Sequence, residues 1–139
     1  MTQHVRDIMT TDLVTVEPLT SVTDVAQLMR NEDVGDVLVV EEGHLRGVVT
    51  DRDLVIRVMA EGGDAGERTV ANACSEELVT VTPDDDVDQV IGLMREKAVR
   101  RVPVVEGDHA VGIVSLGDLA IARDPGSALG GISAARGNE

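Results

Sequence analysis

Two stretches of this sequence, 65 residues apart, carry a hydroxyl and a carboxylate at the same spacing. The first is Gly47-Val48-Val49-Thr50-Asp51-Arg52-Asp53-Leu54 and the second is Gly112-Ile113-Val114-Ser115-Leu116-Gly117-Asp118-Leu119. In each, an apolar run stops at Thr or Ser, and an Asp follows three residues later. That spacing is the one used by a capping box, here with Asp in place of the usual Glu. An acid in a first helical turn also complements the helix dipole. A second chemistry suits the same arrangement. A carboxylate accepts two hydrogen bonds from the vicinal hydroxyls of a ribose, while the Ser/Thr hydroxyl and free helix N–H groups face a phosphate. On residue types and spacing alone both readings stand.

The cations differ between the two halves. Within residues 70–119 all the basic residues fall in seven positions: Arg95, Lys97, Arg100 and Arg101, the last two directly before Val102-Pro103-Val104. Arginine suits phosphate because its planar fork makes bidentate, charge-assisted contacts; the alternative is a solvated helix end whose cations complement the dipole. The matching place in the first half has Gly35-Asp36, with Leu38 instead of Pro103. Asp36 repels phosphate, and only Arg52 offers local compensation, so the two sites are expected to be unequal. Which Asp shares a pocket with the Arg pair stays open. His4, His44 and His109 show no metal-ligand spacing, and no metal site is expected; His44 and His109 occupy equivalent hairpin turns and read as surface residues. Asp84-Asp85-Asp86 reads as helix capping. Cys74 aligns with Met9 and reads as a small apolar core residue. No Ser/His/Asp or Cys/His arrangement is apparent, so no catalytic residue is assigned.

The elements that must position these groups follow from an internal repeat. Residues 5–54 laid on 70–119 match without a gap, with 21 of 50 positions identical. Ser21 caps a helix with Val22, Val25, Ala26 and Met29 at helical spacing. Its counterpart runs from about Asp86 to Lys97. Val37–Glu41 and Val102–Glu106 are β-branched runs that read as buried strands. Each is followed by a turn, Glu42-Gly43 or Gly107-Asp108, and a second strand ending at Thr50 or Ser115. A second helix then starts near Asp51 or Leu116. Each repeat is a short strand, a helix, a hairpin and a helix. Alone, each unit is too small for a comfortable core, so the two are expected to pack on one another, sheet to sheet, with pseudo-twofold symmetry. Residues 60–69 are a Gly-rich polar connector, and the stretch after Arg123 has no periodic apolar pattern and is expected to be mobile.

Composition narrows the partners. The 139 residues include no Phe, Tyr or Trp, 24 Val, and 26 acidic against 12 basic residues, for a formal net charge of −14. A ring-free, acidic chain lacks the means for sequence-tolerant nucleic-acid binding. An aromatic cage for quaternary amines is excluded. One cysteine forms neither an intrachain disulfide nor a cysteine-rich zinc site. No apolar run approaches membrane-spanning length and no signal pattern opens the chain, so it is expected to be cytoplasmic.

The doubled pattern resembles a cystathionine-β-synthase (CBS) domain pair, also called a Bateman module, over residues 5–122. The resemblance implies an α/β (α+β) fold of two tandem β-α-β-β-α repeats, and a cleft between them that takes adenosine compounds such as AMP, ADP, ATP, NAD or S-adenosylmethionine. It implies ribose contacts at Asp53 and Asp118 with Thr50 and Ser115 beside them. It implies phosphate contacts at Arg100 and Arg101, with Arg52 in the first repeat. Adenine would lie along Thr15-Val16, Thr80-Val81 and Pro103. Repeat 1 is expected over 1–62, repeat 2 over 63–123 with connector 63–69, and a tail over 124–139. The function expected is a non-catalytic sensor that requires no cofactor, binds an adenosine ligand, forms a homodimer and signals to a separate, unknown effector protein. The alternative is a structural or partner-binding module with vestigial pockets.

Overall fold

The computed structural model describes residues 3–74, 78–123, 126 and 132. In chain order its elements are α1 (Val5–Ile8), β1 (Thr15–Val16), α2 (Val22–Glu32), β2 (Asp36–Glu41), β3 (His44–Thr50), α3 (Asp51–Leu54), a π-helical segment (Val55–Met59), a 3-10 turn (Val70–Asn72), α4 (Val87–Lys97), β4 (Arg101–Glu106), β5 (His109–Ser115) and α5 (Leu116–Arg123). This is the mixed α+β make-up that the repeat predicts. The tail expected over 124–139 lies outside the described residues, apart from Gly126 and Ile132. No helix among the described residues is long and apolar enough to cross a membrane.

The helices begin where the sequence supplies a cap. Ser21 Oγ accepts from Asp24 N at 3.1 Å. Asp86 Oδ1 accepts from Asp88 N at 2.9 Å, and Gln89 Oε1 accepts from Asp86 N at 2.9 Å. Val22, Val25 and Met29 of α2, and Val87, Val90 and Met94 of α4, are the buried faces. Both helices stop at a left-handed residue, Asp33 (φ 54°) or Ala98 (φ 55°). The two hairpins pair antiparallel, and each register shifts once, between Val39 and Val40 or between Val104 and Val105.

The chain forms two compact units. One comprises residues 13–78 and the other residues 3–12 with 79–123, as far as described. The sequence repeats and the compact units are therefore different partitions. The segment leading into repeat 1 packs with repeat 2: Thr10 N donates to Ile113 O at 2.9 Å and Ile113 N to Thr10 O at 3.0 Å. The segment leading into repeat 2 packs with repeat 1. A Cβ at Gly47 would stand 3.2 Å from both Cβ and Sγ of Cys74, and one at Gly112 would stand 2.7 Å from Met9 Sδ. The two sulfur-bearing residues thus occupy equivalent places against equivalent glycines, as the alignment of Cys74 with Met9 predicts. Each unit has its own aliphatic core. Val37, Val39, Val49 and Val70 belong to one, and Val5, Val102, Val104 and Val114 to the other.

One difference between the units has a covalent cause. In the first, Leu38 N donates to Val14 O at 3.0 Å, and β1 pairs parallel with β2 through Thr15–Leu38 and Val16–Val39. In the second, the equivalent donor would belong to Pro103, which has no N–H. There the pairing shrinks to a single bridge between Val81 and Val104.

Candidate functional site

The two hydroxyl–carboxylate elements lie at equivalent strand-to-helix junctions, β3 to α3 and β5 to α5. Both are reciprocal capping boxes. Asp53 Oδ2 accepts from Thr50 N at 2.9 Å and Thr50 Oγ1 accepts from Asp53 N at 3.1 Å. Asp118 Oδ2 accepts from Ser115 N at 2.9 Å and Ser115 Oγ accepts from Asp118 N at 3.1 Å. All four residues are half-buried. Each carboxylate thus commits one oxygen to its own helix and keeps the other for a further donor.

Those remaining oxygens face different surroundings. Asp53 Oδ1 lies 4.0 Å from Arg57 Nη2, one helical turn on. Arg57 Nη1 also donates to the Ala73 carbonyl at 3.1 Å. The second repeat has Ala122 at the matching position, and Asp118 Oδ1 has no partner among the described residues. Arg57 is a functional neighbour that the signature motif does not single out. Its one signal in the sequence is the i,i+4 spacing from Asp53. Arg52 is exposed, and the guanidinium that reaches Asp53 is that of Arg57. Cys74 lies in the same neighbourhood. Burial pushes its thiol pKa up, the Asp53 charge adds to the rise, and Arg57 opposes it.

The basic pair parts company. Arg101 begins β4 directly opposite Ser115 of β5, and directly opposed residues of an antiparallel pair hold their Cβ atoms about 5 Å apart. In the first unit the same position pairs Asp36 with Thr50. The charge contrast noted in the sequence therefore stands beside the two signature hydroxyls. Arg100, one residue earlier, lines a groove of about 410 Å3 between α4 and α5. Of the residues expected along adenine, Thr15 is exposed, Val16 and Thr80 are half-buried, and Val81 and Pro103 are buried.

Two repeats of one mixed α+β motif, each ending in the same hydroxyl–carboxylate junction, define a tandem-repeat module. The chain belongs to the CBS-domain family, whose model matches residues 5–60 and 70–124. The CBS domain-containing protein YhcV of Bacillus subtilis is 41% identical over 133 residues, 93% of this chain and 94% of that one. Hypoxic response protein 1 of Mycobacterium tuberculosis is 34% identical over 116 residues, 83% of this chain and 81% of that one. A crystal structure of Hypoxic Response Protein I with two coordinated zinc ions superposes with a TM-score of 0.77 at 33% identity, covering 85% of this chain and 97% of that one. The structure of a protein with CBS domains from Burkholderia ambifaria gives a TM-score of 0.82 at 26% identity, covering 90% of this chain and 96% of that one.

Proposed function

We propose that this module senses an adenosine-containing ligand, AMP, ADP or ATP foremost, and passes its bound state to a separate effector protein without catalysing a reaction. The observation that carries the reading is the second signature element. There Asp118 offers an uncommitted carboxylate oxygen to a ribose diol, and Arg101 stands opposite Ser115, where a phosphate would be held. The first element is the weaker acceptor, because Arg57 already approaches Asp53 and Asp36 opposes Thr50. NAD and S-adenosylmethionine share the adenosine moiety and are further candidates. Control of a partner requires the ligand to favour one state of the module over another, since tight binding alone shifts nothing.

We also propose a homodimer, because exposed apolar side chains on the helices of both units call for cover. These include Val55, Ile56, Met59 and Leu116. Titration calorimetry with AMP, ADP, ATP, NAD and S-adenosylmethionine tests the ligand reading. Heat with at least one at micromolar to millimolar concentration is expected, and none with any of them refutes it. Mass spectrometry of small molecules released on denaturation identifies what the purified protein carries. The second reading, a structural module with vestigial pockets, is favoured by one observation: both signature Asp residues already cap their own helices. It predicts loss of stability, and not of affinity, when they are replaced.

A further inference from the structure

The two signature carboxylates cap their helices at the same distances and differ in what meets the other oxygen. Asp53 Oδ1 lies 4.0 Å from Arg57 Nη2, the two side chains being 20% and 40% exposed. The other arm of that guanidinium donates to the Ala73 carbonyl at 3.1 Å. Ala73 is fully buried and ends the 3-10 turn Val70–Asn72; Ala73 N and Cys74 N both donate to the Val70 carbonyl, at 2.9 and 3.1 Å. Cys74 packs on Gly47 of β3, the glycine of the first signature. All these residues belong to the unit of residues 13–78. The second repeat has Ala122 and Ile8 in the places of Arg57 and Ala73, so no guanidinium can make the equivalent bridge. The backbone differs as well. Arg57 lies in the π-helical segment, closed by Ala60 N donating to Val55 O at 2.9 Å, while α5 is α-helical from Leu116 to Arg123. Single π turns occur mostly at functional sites. Of the other cations of this unit near in sequence, Arg52 is exposed and Arg68 pairs with Glu61 at 3.0 Å.

We propose that Arg57 is a specificity-determining residue of the first element: it competes with a ribose for Asp53 and passes occupancy there to the turn over Val70–Cys74. The inference rests on the ligand reading and says how one of its two elements is set and sensed. A guanidinium anchored at both ends loses its rotamer freedom once for two contacts. A ribose diol that takes Asp53 Oδ1 removes one anchor, and the Ala73 contact alone must then offset the ordering of the long side chain. The carbonyl that ends the turn is satisfied less of the time, and the turn opens more often. Coupling of this kind is reciprocal. By whatever factor the ligand weakens the Arg57 bridge, removal of the bridge strengthens ligand binding. For an ion pair as exposed as this one, the factor is at most about five. The second element has no internal competitor, and its occupancy has no such route out.

Titration calorimetry with AMP and hydrogen exchange test this on the full chain. Asp118→Asn serves as the parent, so that the first element dominates, and Arg57→Met or Arg57→Lys is added to it. Thermal melts first establish that each variant is folded. Arg57→Met is expected to bind AMP about two- to fivefold more tightly than the parent, and Arg57→Lys, which keeps a cation beside Asp53, to gain less. Amides of residues 70–74 are expected to exchange faster in the parent once AMP is added, and at one raised rate with or without AMP in Arg57→Met. A purely structural Arg57 would speed exchange on removal and leave AMP affinity unmoved; that result overturns the proposal. So does an Arg57→Met chain that binds AMP more weakly, which would make Arg57 a phosphate contact. No heat from the wild type overturns AMP as the ligand and this proposal with it. A wild type that binds AMP, with Arg57→Met no tighter than its parent, overturns this proposal alone.

Discussion

Replacing Asp118 by Asn and by Ala separates the two chemistries its carboxylate can perform. Its Oδ2 accepts from Ser115 N at 2.9 Å, while its own backbone N donates to Ser115 Oγ at 3.1 Å. The second bond uses a main-chain donor and survives both substitutions. Asn keeps an oxygen acceptor for the first bond and loses only the charge, worth about 0.3–1 kcal/mol beside a helix N-terminus. Ala leaves the half-buried Ser115 N–H without its partner, a loss on the scale of a helix cap, about 0.5–2 kcal/mol. At this chain length each kcal/mol lowers Tm by roughly 4 °C. Ligand affinity is expected to divide differently. Charge-assisted hydrogen bonds from a ribose diol contribute about 1.5–3 kcal/mol, so both variants should bind AMP roughly 10- to 100-fold more weakly. The expected order is therefore wild type, then Asn, then Ala in scanning calorimetry without ligand, with Asn and Ala together well below wild type in titration calorimetry. Asp53→Asn is expected to cost less affinity, because Arg57 already competes for that carboxylate at 4.0 Å. An Asp118→Asn protein that binds AMP as tightly as wild type refutes the ribose role. An Asp118→Ala protein as stable as wild type refutes the capping account.

Gly112→Ala should destabilise by about 1–3 kcal/mol through overpacking, since its Cβ would meet Met9 Sδ at 2.7 Å and the Thr10 carbonyl at 3.1 Å. Gly47→Ala, whose nearest contacts are at 3.2 Å, should cost less, and urea denaturation of both ranks them. Leu38→Pro removes the Leu38 N–H that bonds Val14 O and should lower stability by about 1 kcal/mol or more; Pro103→Leu should instead strengthen protection of the Thr80–Val81 stretch in hydrogen exchange. Cys74 should react with Ellman's reagent only as the pH rises above the ordinary thiol range, and Asp53→Asn should bring that profile down, because Asp53 is one of the causes of the rise. The folded-state pKa is raised, so the stability this thiol contributes is full below the ordinary thiol pKa and fades as pH climbs through the folded value. Melts of Cys74→Ser above about pH 9 should lack that decline.

The repeat made most of the local structure legible. Ser21, Asp86, Thr50 and Ser115 mark helix starts by their side-chain chemistry, and short β-branched runs mark the first strand of each hairpin, so those elements lie where the sequence pattern puts them. Pairing of the leading segments was not legible. Nothing in Val5–Ile8 or in Val70–Asn72 states which hairpin it will cover, because that choice depends on contacts far along the chain. The sequence also showed the Arg100-Arg101 pair as one feature. Only the pairing of Arg101 with Ser115 and the placing of Arg100 on the α4–α5 groove reveal two surroundings. Arg57 escapes a motif search because its role depends on the Ala73 carbonyl, 16 residues away.

The exchange of leading segments has a consequence for synthesis on the ribosome. Val5, fully buried in one cluster with Val87, Val90 and Val114, is made before partners that lie 82 to 109 residues further on, a wait of roughly 5–20 s at ordinary elongation rates. The unit formed by residues 13–78 is contiguous and can close in the meantime. The other unit joins residues 3–12 to residues 79–123 and cannot close before β5 has been made. A nascent chain stalled before β5 would therefore carry Val5 without the Val114 side of its core, an apolar segment open to the wrong partner.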